Sequence, residues 1–316
     1  MRIPLTAFLL LLVCSLSAQQ PIPTTEAYLR YADSAQQLYR AKDYKASARL
    51  YDQAFKANGA TGRPDDHYNA ACTFALAGDR EKAIYHLGLA ALLRYSGADH
   101  LQKDTDLQSL HTDSRWPNIV AQVKKNKQEA EAKQDKALVA QLNTIYEEDQ
   151  ALRRTIDTLY RKYGWESKEV QALLPSMARK DSLNLVQVKT LLDTRGWLGA
   201  DVVGGKGSQT LFLVIQHADS ATQAKYLPLL RQAVKEGKAQ PSQLALMEDR
   251  TRMDRGEKQL YGSQVIQDPV TKKPKFHPIE DEPNVNKRRA TMGLGPIETY
   301  ARNFGIEYTL PAKGSN

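Results

Sequence analysis

Apolar residues recur at the three- and four-residue steps of an α-helix throughout residues 28–95, and the turns between the periodic stretches are short. Tyr39, Tyr44, Tyr51, Ala54 and Phe55 form one set, and Asp43 before Tyr44 predicts a tight helix-to-helix turn. A second set runs from Tyr68 through Ala71, Cys72, Ala75 and Ala77 to Gly78, Asp79 and Ala83. Its small residues stand where two helices must approach closely, with Gly78 ending one helix and Asp79 capping the next. Leu101, Asp104, Asp106, Leu107, Leu110, Trp116 and Ile119 continue at helical spacing and predict a cap on these hairpins. Residues 124–136 are rich in Lys, Gln, Glu and Ala, which predicts a solvated helical spacer.

Beyond the spacer, Leu138, Leu142, Ile145, Leu152, Ile156, Leu159 and Tyr163 make one apolar stripe, and Asp149 is a member of it. Further helices are predicted over 182–194, ended by Gly196, over 219–235, ended by Gly237, and over 242–253, ended near Gly256. A hairpin pairs 259–267 with 275–279 through Asp268-Pro269, and short helices around 286–291 and 296–303 close the chain. The glycine-rich stretch 199–208 predicts a flexible loop; its spacing fails as a phosphate-binding loop because Gly207 stands where a hydroxyl residue should follow Lys206.

The hairpin region resembles the tetratricopeptide repeat: Ala71, Ala75, Gly78, Ala83 and Ala90 occupy matching small positions, and Asp43-Tyr44 with Ala54 echoes them one repeat earlier. The usual proline after the second helix is missing in both. The fold class is therefore mainly α, with tetratricopeptide-like hairpins followed by a helix-rich domain that carries a small β-hairpin. The expected division is a signal peptide over 1–18, the repeat module with its cap over 24–122, a charged linker over 123–136, the second domain over 137–305 and a tail over 306–316.

The signal-peptide expectation rests on Arg2, the apolar run from Ala7 to Val13, and small residues Ser15, Ser17 and Ala18 before Gln19 and Gln20. That run is far below the ~20 residues of a spanning helix, so no membrane span is expected. Cleavage near Ala18 implies export, periplasmic or secreted, in preference to a lipoprotein anchor at Cys14, because Leu12 and Val13 replace the small residues such a site wants. Cleavage leaves Cys72 as the single thiol, a small buried filler that cannot close an internal disulfide.

The chain carries 44 basic and 36 acidic residues, a surplus of 8 that falls to 7 without Arg2. The basic residues are dispersed, as in Lys124, Lys125 and Lys127, in Lys272, Lys273 and Lys275, and in Lys287, Arg288 and Arg289. They lack interleaved aromatics for stacking bases, so no nucleic acid is expected. His67, His86, His100, His111, His217 and His277 show no close ligand pairing and there is no Cys cluster, so neither a metal nor another cofactor is expected. There is also no Gly-x-Ser-x-Gly elbow.

The polar residues of the second half are distinctive. A carboxylate on a core-facing stripe is costly without partners, so Asp149 either pairs with Arg153 one turn on or lines a polar cavity. His217 ends the apolar run 211–215, and Asp219 beside it is placed to cap the following helix. Asp149-Gln150 with Arg153, Gly196-Trp197, Gln216-His217-Ala218-Asp219 with Gln223, Asp249-Arg250, Gln259 with Tyr261-Gly262 and Gln264, and Arg289 with Gly293-Leu294 together resemble the bacterial domain of unknown function 6624, over roughly 138–300. Ser263 stands where that pattern tends to have threonine. The resemblance implies no particular reaction.

Two functions follow. The favoured one is an exported binding or scaffold protein whose repeat module holds a protein or peptide partner. The alternative is an envelope enzyme, hydrolytic in kind, with His217 as base, Asp149 or Asp249 orienting it, Arg153 or Arg250 holding an anionic group, and Gln150, Gln216, Gln259, Tyr261, Gln264 and Arg289 binding substrate. His217 within reach of a carboxylate in a concave pocket would separate the two.

Overall fold

The computed structural model describes residues 24–311; the expected signal peptide and the end of the tail lie outside them. The first helices form two hairpins, α1 (Glu26–Arg40) with α2 (Tyr44–Ala57) and α3 (Pro64–Ala77) with α4 (Arg80–Leu92). Three of the four start at a side-chain cap, Thr25, Asp43 and Asp79 accepting the backbone N–H of Tyr28, Ala46 and Lys82, and α3 starts instead at Pro64, whose missing N–H and fixed φ suit the first turn. Gly78 ends α3 with φ at 89°, a conformation that costs a residue with a Cβ. Ala70, Ala71, Ala83 and Ala90 are fully buried, which lets large residues such as Tyr28, Tyr51 and Leu87 fill the space between helices.

The cap predicted for this end is present as α5 (Ala98–Lys103), a 3-10 turn at Thr105–Leu110 and α6 (Trp116–Glu131), which bury Leu101, Leu107, Leu110 and Val123 in the same core. The charged stretch behaves differently from a free spacer. Its first part continues α6, and buried Asn126 donates to the carbonyls of Ala91 and Tyr95 at 2.7 and 2.9 Å. Lys127 also meets Asp99 at 2.6 Å. Composition marks the outer face of this helix but is silent about the one inward asparagine.

A second core is built from α7 (Lys136–Tyr163), linked by the short α8 (Lys168–Gln171) to α9 (Leu174–Arg195), and from α10 (Ala200–Gln216), α11 (Ser220–Lys235) and α12 (Pro241–Asp254). Leu142, Ile145, Val188, Leu192, Trp197, Leu211, Ile215 and Leu230 lie at its centre. The predicted flexible loop over 199–208 is instead the first half of α10, kinked at Gly204 (φ 71°, ψ 164°). The glycines there serve close packing: a Cβ at Gly207 would lie 3.2 Å from Leu142 Cδ1, so its absence lets α10 lie against α7.

The remaining segment has β1 (Val265–Gln267) antiparallel to β2 (Pro274–Phe276), turned at Asp268 as expected but shorter than the periodicity suggested. Gln259 and Ile279 meet outside the strands as an isolated bridge. Then α13 (Val285–Thr291) and α14 (Ile297–Arg302) bury Val285 and Ile297 with Ile279. This last segment also touches both larger cores, Ala290 packing against the first and Met292 against the second. Among the described residues no helix is long and apolar enough to cross a membrane.

Candidate functional site

The apolar stripe of α7 carries Asp149 inward with the leucines and isoleucines around it, leaving it 2% exposed. Its carboxylate is met by His217 Nδ1 at 3.1 Å, by Gln150 Nε2 at 2.6 Å and by Arg153 Nη1 at 3.5 Å. Both readings offered for Asp149 from sequence are thus realised at once, an intrahelical pair and a cavity wall. Burial works to raise its pKa, but the hydrogen bond and charge of His217, then Arg153 and Gln150, outweigh it and hold the carboxyl below its ordinary range.

His217 is the C-cap of α10, so the end of the buried run 211–215 fixes its backbone while its ring turns toward α7. A carboxylate can only accept, so a hydrogen bond to Asp149 places the proton of the neutral ring on Nδ1 and leaves Nε2 as a bare acceptor. Nε2 makes no hydrogen bond to any described residue. His217 and Asp149 both line a cavity of about 280 Å³ whose other walls include Asp181, Ser182, Leu185, Val214 and Asp219.

Arg153 stands behind this pair. Its Nη1 and Nη2 donate to the two carboxylate oxygens of Asp181, each at 2.9 Å, and Nη1 also donates to the Asp149 carbonyl at 3.0 Å. The fork is filled by Asp181, so Arg153 joins α7 to α9 and is not an open contact for an anion. Asp219 accepts the Thr222 N–H at 2.8 Å, the capping role its position suggested. Asp181 and Ser182 escaped the sequence reading because their only local signal is membership of a helix.

Most of the other predicted residues form a second network. Asp249 is fully buried and accepts the backbone N–H of Leu260 at 2.7 Å, Tyr261 at 3.0 Å and Ser263 at 2.9 Å. Gln259 accepts from Gln264 N at 2.8 Å and donates to His277 O at 2.6 Å. Arg289 donates to Tyr261 O at 2.7 Å and Gly295 O at 2.6 Å, Tyr261 reaches Glu248 at 3.3 Å, and Gln264 reaches Ser263 Oγ at 3.0 Å. This network shapes the backbone over 259–264, and no hydrogen bond or ion pair joins it to His217 among the described residues. Gln216 contributes its carbonyl to Gln223 at 2.8 Å, and Arg250 belongs to neither group, its buried Nε having no hydrogen-bond partner.

In the first core, Cys72, Asp104 and Asp106 bring their side-chain donor atoms within 4.8 Å of one another, a grouping that spacing did not reveal. Each carboxylate already accepts a tyrosine hydroxyl, Tyr68 to Asp104 at 2.6 Å and Tyr39 to Asp106, and burial first and then Asp104 push the thiol pKa up. The grouping is a hydrogen-bonded network that ties the 3-10 turn to α1 and α3.

A family described as a family of unknown function (DUF6624) has a model that matches residues 136–313, from the start of α7 through α14. No curated protein and no solved structure matches the chain.

Proposed function

Since the chain belongs to this family of unknown function, DUF6624, and the matched segment contains the whole His217 cavity, we propose that the segment is an enzyme domain performing acid–base chemistry, with hydrolysis as the reaction class. The observation that carries the reading is His217 Nδ1 on buried Asp149 at 3.1 Å, with Nε2 unpaired and both residues lining one cavity. His217 Nε2 takes the proton of a water as that water attacks the acyl carbon, Asp149 steadies the imidazolium that forms, and the imidazolium returns the proton to the leaving oxygen as the acyl–oxygen bond breaks. Arg153 and Gln150 are positioning residues, keeping Asp149 ionised and aimed. The cavity walls, Leu185 and Val214 beside Asp181 and Ser182, suit a small uncharged acyl group better than an anion.

The test is turnover of p-nitrophenyl esters by the full chain. His217→Ala should lower kcat by ~10²–10⁴-fold, the usual contribution of a positioned acid–base group. Asp149→Asn should lower kcat with little change in KM. Turnover that survives His217→Ala, or no turnover of any ester, would sink the reading.

A second reading is favoured by a separate surface. The α4 and α6 face holds an open groove of about 730 Å³ with Ile84, Tyr85, Leu89, Leu92 and Ile119, in which Tyr85 is 59% and Leu92 73% exposed. The hairpins of the first core, read as tetratricopeptide-like, would hold a protein or peptide partner there, and export would put this interaction outside the cytoplasm. Loss of a co-purifying partner on Leu92→Glu would support it; unchanged recovery would count against it.

A further inference from the structure

Arg289 is 3% exposed, yet no carboxylate pairs with it; its Nε and Nη1 donate to carbonyls while Nη2 has no hydrogen bond. Nη2 is not sealed off, because Arg289 lines a cavity of about 270 Å³ between α1 and the α13–α14 segment. Burial pushes the pKa of this guanidinium down to about 10 against the pull of Tyr300, Asp33, Asp249 and Glu298, and among the described residues its close partner besides the carbonyls is the Tyr300 ring, 5.1 Å away.

The same cavity holds a carboxylate in the converse position. Asp33, on α1, has neither a hydrogen bond nor an ion pair. Its place is set by packing: Gly295 approaches so closely that a Cβ there would fall 1.3 Å from Asp33 Oδ2. Burial raises its pKa against the pull of Arg63, Arg289 and Arg40. Arg40, likewise without a hydrogen bond, is exposed at the cavity, and Gln36, Thr299, Tyr300 and Asn303 supply the rest of the polar wall.

We propose that this cavity binds a small zwitterion, a free α-amino acid, with its carboxylate on Arg289 Nη2 and Arg40 and its ammonium group on Asp33. Two guanidinium groups and one carboxylate, none of them in an ion pair, in a half-enclosed space of this size match a ligand that carries both charges a few bonds apart, its carboxylate shared by the two cations. The site is independent of His217 and joins the first helical core to the family segment, so occupancy would hold α1 against α14.

Calorimetric titration of the full chain with glycine, L-alanine and L-glutamate tests this, with acetate and methylamine as probes carrying one charge each. The expected result is saturable one-site binding of at least one amino acid, weakened tenfold or more in Asp33→Asn and in Arg40→Gln. Neither side chain makes a hydrogen bond, so both variants should keep the wild-type unfolding midpoint. Acetate binding as tightly as the amino acids, amino-acid binding untouched by Asp33→Asn, or no binding by any of the three amino acids would each overturn the proposal.

Discussion

The stacked histidines of the first core give the helical hairpins a calculable sensitivity to acid. His67 and His86 are 1% and 6% exposed, their Nδ1 atoms are 2.9 Å apart, and the rings stack on Phe55 and Phe74. One Nδ1 must donate and the other accept, so the arrangement requires both rings uncharged. Burial lowers the His67 pKa to about 4, and burial with the charges of His67 and Lys82 lowers that of His86 to about 3.

For a base with a depressed folded pKa, the unfolded chain binds more protons between that value and its own value of ~6.5, so stability falls as pH drops through this window. At pH 5 the gap of ~1.5 units, at ~1.4 kcal/mol per unit, amounts to about 2 kcal/mol for each ring and about 4 kcal/mol for the pair taken independently. Replacing both, His67→Leu with His86→Leu, removes donor and acceptor together and leaves no orphaned nitrogen. Urea midpoints followed by helical circular dichroism and, in a background of Trp165→Phe and Trp197→Phe, by the fluorescence of Trp116, which packs on this core, should be taken at pH 7 and pH 5. Wild type should lose about 4 kcal/mol more than the double variant over that interval. Equal losses in the two proteins would refute the reasoning.

The carboxylate behind His217 has the opposite sense: a depressed acid stabilises above its unfolded value of ~3.9 and that contribution disappears as pH falls through the folded value. Asp149→Asn should therefore be less stable than wild type at pH 7, with the difference in thermal midpoint shrinking below pH ~4. Asp249→Ala strands three backbone N–H groups and should cost at least ~3 kcal/mol by urea denaturation; a cost under ~1 kcal/mol would mean that water replaces the carboxylate. Asn184 is fully buried with both amide atoms unpaired, so Asn184→Leu should raise the thermal midpoint, and a lowered midpoint would show that the amide is used.

Punctuation was the most legible feature of the chain. Asp43, Asp79 and Asp219 cap the helices that follow them, and Gly78 and Gly196 end the helices before them, because a capping carboxylate or a positive φ is a local requirement. Tertiary use of the same residue types was not legible. The glycines over 199–208 look like a loop in isolation, but become helix where Gly207 meets Leu142. Asp149 and Asp249 are alternative partners for His217 in the sequence, yet one faces an imidazole and the other a ring of backbone amides, and only the packing of α7 and α12 decides which. Asp181 completes the site from a helix face that has no marker of its own.

The seating of α13 and α14 on α1 sets an order of events. Arg302 donates to Gln37 at 3.0 Å across 265 positions of sequence, while the hairpins beneath are joined by neighbours in the chain. On a growing polypeptide the first core can assemble long before that partner emerges, so the face of α1 that carries Asp33 and Gln37 waits open until α14 has been made. Among the described elements this clasp closes after both larger cores have been made. Held by few contacts of long range, it is also the first to open in native-state hydrogen exchange, ahead of either large core.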